Sequence, residues 1–171
     1  MNPWLQAARL RTLPLALTCV LLGGAITHAT GLDEAGQARF LPVMVSALIT
    51  VSLLQVLANF ANDYGDFRKG TDTAAGRADR TLASGSLTVD AMKRAMVLIG
   101  VLALVSGLTT LALAFVPGWV PGTESSSLQG ASMAALFALG IAGIVAAVRY
   151  TVGLSAYGYV GLGDLFVLVF F

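Results

Sequence analysis

The chain has 171 residues, 57% of them hydrophobic and only 11% charged, whereas soluble globular domains carry roughly a quarter. That balance excludes an ordinary water-soluble domain and describes an integral membrane protein, whose 19 glycines suit close helix packing in lipid. The net charge of +1 points to no partner, the single cysteine (Cys19) excludes an internal disulfide, and the single histidine (His28) excludes a Cys/His zinc cluster.

Residues Met1 to Thr12 are short and mildly basic, with Trp4 as an interfacial anchor and Arg9 and Arg11 ahead of the first apolar run, Leu13 to Ala29. More apolar runs follow, so this is a retained first transmembrane helix and not a cleaved signal peptide. The second run, Phe40 to Ala61, has about 22 residues without a charge, enough to cross a hydrocarbon core of roughly 30 Å. The third, Ala95 to Val116, carries Gly100, Ala103 and Gly107 on one face and ends at Pro117, Gly118, Pro121 and Gly122. The fourth, Ala131 to Val148, places Ala134, Ala138, Ala142 and Ala146 at four-residue spacing, and both stripes predict helix against helix. A fifth run begins at Leu165 and reaches only Phe171, short of the roughly 20 residues a span needs. The expected fold is all-α, a polytopic transmembrane helical bundle with four full spans plus the start of a fifth. Residues 1–171 are expected to be a single membrane-embedded domain, truncated at its C-terminal end.

Charge concentrates between the second and third runs. Asn62 to Arg94 reads as a polar loop of functional length, too rich in alternating charges for a neutral linker, with Thr88 as N-cap of the next helix. Lys and Arg occur before the first run, six times in this loop and once after the fourth run (Arg149), while the alternate loops hold only Arg39. The positive-inside rule then puts the N-terminus, the Asn62 to Arg94 loop and the Tyr150 to Asp164 loop on the cytoplasmic side of the plasma membrane, where the two polar loops can form one site.

The stretch from Asn59 to Asp72 is the densest in chemistry. If it continues the second helix, Asn59, Asn62, Asp63 and Asp66 fall at i, i+3, i+4 and i+7, along one face. Carboxylates beside amides at a membrane surface suit Mg²⁺, which takes oxygen ligands and commonly bridges one or two carboxylates to a substrate's phosphates. Arg68, Lys69, Arg77 and Arg80 supply cations for the remaining phosphate charge, and apolar walls suit a lipid tail. Any one of these residues alone fits a solvated loop charged for solubility and topology; the set on one helical face at a membrane exit favours a site for a lipid pyrophosphate.

Asn62, Asp63 and Asp66 also fit the pattern Asn-Asp-x-x-Asp-x-x-x-Asp, with Gly70 at its last position and Asp72 as a displaced acid. With Arg-Leu-Arg-Thr-Leu-Pro at Arg9 to Pro14, Asp-Arg-Thr-Leu-Ala-Ser-Gly at Asp79 to Gly85, and the stretch from Tyr150-Thr through Gly-Leu-Gly-Asp164 to Phe171, the chain resembles the UbiA-type membrane prenyltransferases, most closely the 1,4-dihydroxy-2-naphthoate polyprenyltransferases of menaquinone synthesis. That resemblance implies a complete fold of about nine spans of some 20 apolar residues each, and a second acid-rich motif downstream of Phe171. It implies transfer of a polyprenyl group from polyprenyl diphosphate to 1,4-dihydroxy-2-naphthoate with loss of the carboxylate, giving demethylmenaquinone. Mg²⁺ held by Asp63, Asp66 and Asp72 would neutralise the leaving diphosphate, and the dry chamber would shield the allylic cation from water. Asn62, Asp66 and Arg80 are the expected catalytic residues; Asn59, Arg68, Lys69, Arg77, Tyr150, Tyr157 and Asp164 are the expected substrate contacts. Tyr157 and Tyr159 remain open between packing and substrate contact, and Ser84 and Gly85 are assigned to shaping a turn. The implied partners are the two substrates and the bilayer, not nucleic acid. A sibling enzyme acting on another aromatic acceptor (4-hydroxybenzoate, homogentisate) and a non-enzymatic transport or interaction protein are the alternatives.

Overall fold

The computed structural model describes residues 2–74, 80–115, 127–153, 156–162 and 165, and among these it is helical with no strand. Helix α1 (Pro3–Ala8) starts on the Asn2 side chain, which accepts from Trp4 N at 2.9 Å, and ends at Arg9, whose backbone takes the left-handed conformation (φ 47°). A 3₁₀ turn (Leu10–Thr12) leads into α2 (Leu13–Ala29), with Pro14 in its first turn, where no N–H is missed. Helix α3 (Glu34–Lys69) opens on Asp33, which accepts from Gly36 N at 2.7 Å, and closes on Gly70 at φ 76°. A short helix α4 (Thr71–Ala74) follows; then come α5 (Val89–Phe115) and α6 (Ser127–Arg149), and a 3₁₀ turn at Tyr157–Val160.

Among the described residues, four stretches are long and apolar enough to cross a membrane: Pro3–Ala29, Gly36–Lys69, Val89–Phe115 and Ser132–Arg149. The first apolar run coincides with α2. The second does not stop where expected: α3 has 36 residues, about 54 Å at 1.5 Å per residue, well beyond a hydrocarbon core of roughly 30 Å. The polar sequence after Ala61 is therefore first a rigid helical extension and only later a turn. Asn and Asp disfavour helix interiors by competing for backbone hydrogen bonds, but here their side chains are engaged elsewhere.

Helices α3 and α5 form the central pair. Ala103 is buried, and Gly100 and Gly107 face Leu57 and Thr50 of α3, so the α5 stripe packs as expected. Four hydroxyls knit the same interface: Ser46 to Thr110 at 2.8 Å, Thr50 to Ser106 at 2.8 Å and Thr50 to Thr110 at 3.3 Å. The α6 stripe behaves differently. Only Ala146 is buried, and Ala134, Ala138 and Ala142 are exposed. The face of α6 turned to the bundle is the bulkier one, where Phe137, Gly140 and Ile144 line an apolar cavity of about 270 Å³ shared with Thr50, Leu54 and Gly107. The fifth run, apart from Leu165, lies outside the described residues.

The contiguous buried core sits at the polar end of the bundle. Ala7 and Ala8 of α1, Phe60 of α3, Leu82 of the following turn and Met92 of α5 pack together, and the Trp4 ring lies 5.8 Å from that of Phe60. This core fixes the end of α3 on which the polar residues stand.

Candidate functional site

Asp66 is the hub. Its Oδ1 accepts the Tyr159 hydroxyl at 2.7 Å and its Oδ2 faces Arg80 Nη2 at 3.4 Å. Arg80 also reaches Asp72, Nε to Oδ1 at 3.5 Å, and the Asp72 side chain is only 1% exposed. Gly70 makes this possible: its left-handed turn ends α3 and starts α4, carrying Asp72 back beside Asp66. Arg80 arrives from the other side, on a turn closed by Ser84 N to Arg80 O (2.9 Å), Leu87 N to Thr81 O (3.1 Å) and Gly85 at φ 71°. Thr88 caps α5 behind it, accepting from Ala91 N at 3.2 Å.

The segment after α6 closes the site from a third direction. At Gly65 an added Cβ would collide with Thr151, so α3 and this segment touch backbone to backbone. The Thr151 hydroxyl lies 2.8 Å from Ala61 O and 3.2 Å from Asn62 Oδ1. Gly158 N donates to Tyr150 O at 2.9 Å, holding the turn that presents Tyr159. Lys69 Nζ sits 4.4 Å from the centre of the Tyr159 ring, a cation–π contact. Burial first, and then the Asp66 carboxylate, push the Tyr159 hydroxyl well above its ordinary range, so it stays a protonated donor.

The structure thus brings Asn62, Asp66, Arg80, Asp72 and Lys69 together from three segments. Arg68 is exposed on the last turn of α3. Asn59 faces another way: its amide nitrogen donates to Ala8 O at 2.8 Å and Thr12 Oγ1 at 3.0 Å, tying α3 to the N-terminal segment. Asp63 is 2% exposed and accepts the Thr81 hydroxyl. Tyr157 spends its hydroxyl on Ala146 O at 2.6 Å and meets the Tyr150 ring edge-on at 5.4 Å, so both pack the segment. Arg77 and Asp164 lie outside the described residues. Thr81, Thr151 and Gly65 lie inside the sequence motifs but carry no chemistry that marks them from sequence, and only the fold joins Tyr159 to Asp66.

No group of three or more His, Cys, Asp or Glu side chains suited to a metal occurs among the described residues. The donor set left is Asp66 and Asp72. Two carboxylates fit Mg²⁺ in the way it is usually held, with waters and substrate phosphates completing the shell, and do not fit an all-protein cage.

Apolar spans ending in a buried acid and guanidinium cluster define a polytopic membrane protein whose polar residues gather at one end of the bundle. Its homologues carry one name. The chain is 40% identical over 169 residues to a 1,4-dihydroxy-2-naphthoate octaprenyltransferase of Haemophilus influenzae, 41% over 174 residues to one of Escherichia coli, and 32% over 168 residues to one of Mycobacterium tuberculosis. Each match covers 98% of this chain but 49 to 50% of the relative, so the chain spans about half their length. No family model and no solved structure matches it.

Proposed function

We propose that the chain supplies the first acid-rich half of a prenyltransferase site that moves a polyprenyl group from its diphosphate to 1,4-dihydroxy-2-naphthoate. The observation that carries this reading is the pairing of Asp66 and Asp72 across Arg80 at the end of an apolar bundle, in a chain whose homologues bear that name. Asp66 and Asp72 would hold Mg²⁺, which when bound supplies positive charge for the departing diphosphate. Arg80 and Lys69 would bind phosphate oxygens, Arg80 as a planar fork and Lys69 as a point charge. Tyr159 holds one Asp66 oxygen, and Asn62, steadied by Thr151, borders the same space. Asp63 and Asn59 brace the scaffold: each buried polar group ties α3 to a neighbouring segment. The sidedness rule places the site at the cytoplasmic face.

The test is made in membranes carrying the chain joined to the remainder of a relative, supplied with Mg²⁺, labelled polyprenyl diphosphate and a panel of aromatic acceptors. Prenylated naphthoquinone is expected with dihydroxynaphthoate, and Asp66→Asn should lower the rate by about 10² to 10³, the usual cost of losing one preorganised charge contact. Product on 4-hydroxybenzoate or homogentisate in place of the naphthoate would reassign the acceptor; no product on any would reject the reading.

A further inference from the structure

The Asp66 and Asp72 pair already has a cation between its members. Arg80 stands 3.4 Å from one and 3.5 Å from the other, whereas full-strength charge-assisted bonds run at about 2.7 to 2.9 Å. The guanidinium is spread across two acids and is tightly bonded to neither. Its remaining nitrogen, Nη1, is buried with no partner among the described residues, and a buried donor left unbonded keeps its desolvation penalty. The pairing is therefore held by charge balance more than by hydrogen bonds. Phosphate oxygens, taken two at a time by the planar fork, offer what Arg80 lacks here. A dication entering between the carboxylates would also meet Arg80 as a like charge in a buried place, where salt screens repulsion least.

We propose that Arg80 is the resident counter-ion of the Asp66 and Asp72 pair, and that loading the site is an exchange: a divalent cation takes the carboxylates as a diphosphate takes Arg80. This rests on the prenyl diphosphate reading above and adds a binding order to it. The three side chains carry a net charge of −1 with Arg80 in place and −2 once it turns to phosphate. Cation and diphosphate are then each held weakly alone and more tightly together. Removing Arg80 has two opposite effects, tightening the cation and loosening the diphosphate.

The experiment measures Mn²⁺ binding to the purified chain in detergent, with no phosphate present, from the electron paramagnetic resonance of free Mn²⁺. Arg80→Gln should bind Mn²⁺ about tenfold more tightly than the unmodified chain, inside the usual 5- to 150-fold range of coupling between sites. Arg80→Lys, which keeps the charge but cannot span both acids, should fall between the two. Adding Asp66→Asn to Arg80→Gln should erase the gain and locate the ion at the pair. Equal or weaker Mn²⁺ binding in both Arg80 variants overturns the counter-ion role and leaves the prenyl-transfer reading standing. If neither the unmodified chain nor any variant binds Mn²⁺, the counter-ion role falls, while the prenyl-transfer reading is judged by the transfer assay with diphosphate present.

Discussion

Asp63 and Asp66 stand one helical turn apart and yet do different work. Asp63 is sealed against Thr81, so its carboxylate secures the turn that delivers Arg80; Asp66, half-buried, meets Arg80 and Tyr159. Replacing Thr81 by Val, nearly the same shape, removes the donor and leaves a buried acceptor without it. Thermal unfolding in detergent should show a loss of about 1 to 3 kcal/mol, the usual cost of an orphaned buried polar group; an unchanged transition would deny Asp63 its bracing role. Tyr159 carries a pH signature. Its hydroxyl is held above the ordinary value of 10.0 by burial and by Asp66, so its contribution to stability is complete below that pH and is lost as the pH rises through the higher folded value. A tyrosinate absorbance titration should lose its latest component in Tyr159→Phe, and should show that component moved to lower pH in Asp66→Asn, still above an ordinary tyrosine because the burial remains.

At the level of elements, the informative feature is that α3 overshoots. The hydrophobic run was legible as a span because charge-free length is the strongest signal in a membrane sequence. Its extension to Lys69 was legible only as a condition, because Asn and Asp weaken helices unless their tertiary partners are known. Gly65 sits on this extension where the segment after α6 crosses. Gly65→Ala should lever that segment away, destabilise the chain by about 1 to 3 kcal/mol as overpacking does, and return the Tyr159 titration toward normal. Deeper in the bundle, a double-mutant cycle on Thr50 and Ser106 should yield a coupling of about 0.6 kcal/mol, with roughly 1.7 as the upper limit seen for such pairs in lipid. On α6 small residues at four-residue spacing permit close packing, but three of the alanines face outward from this bundle, because the opposite face of the helix meets α3 and α5.

For the whole molecule, the acid-bearing end of α3, the Arg80 turn and the segment after α6 must all lie at one membrane surface, since they touch. Which surface is checked with single cysteines in a Cys19→Ser background. Ser84→Cys should react with an impermeant thiol reagent only from the cytoplasmic side, and Thr30→Cys only from the opposite one. The reverse pattern would invert the assigned topology.

The sequence by itself determined that the chain is a helical membrane protein, roughly where its spans lie, which stretch concentrates its charge and which family it resembles. The first three follow from local composition and spacing and the resemblance from short motifs, all of which survive without knowledge of contacts. Only the tertiary structure decided how the polar residues divide their work. A helix puts Asn59 and Asp63 on one face with Asp66, but that face is wide enough to meet three segments. The N-terminal segment takes Asn59, the turn after α4 takes Asp63, and the segment after α6 meets Asp66 through Tyr159. A hydrogen bond across 18 or 93 positions of sequence leaves no periodic trace, so Thr81 and Tyr159 acquire their roles only when the chain is folded.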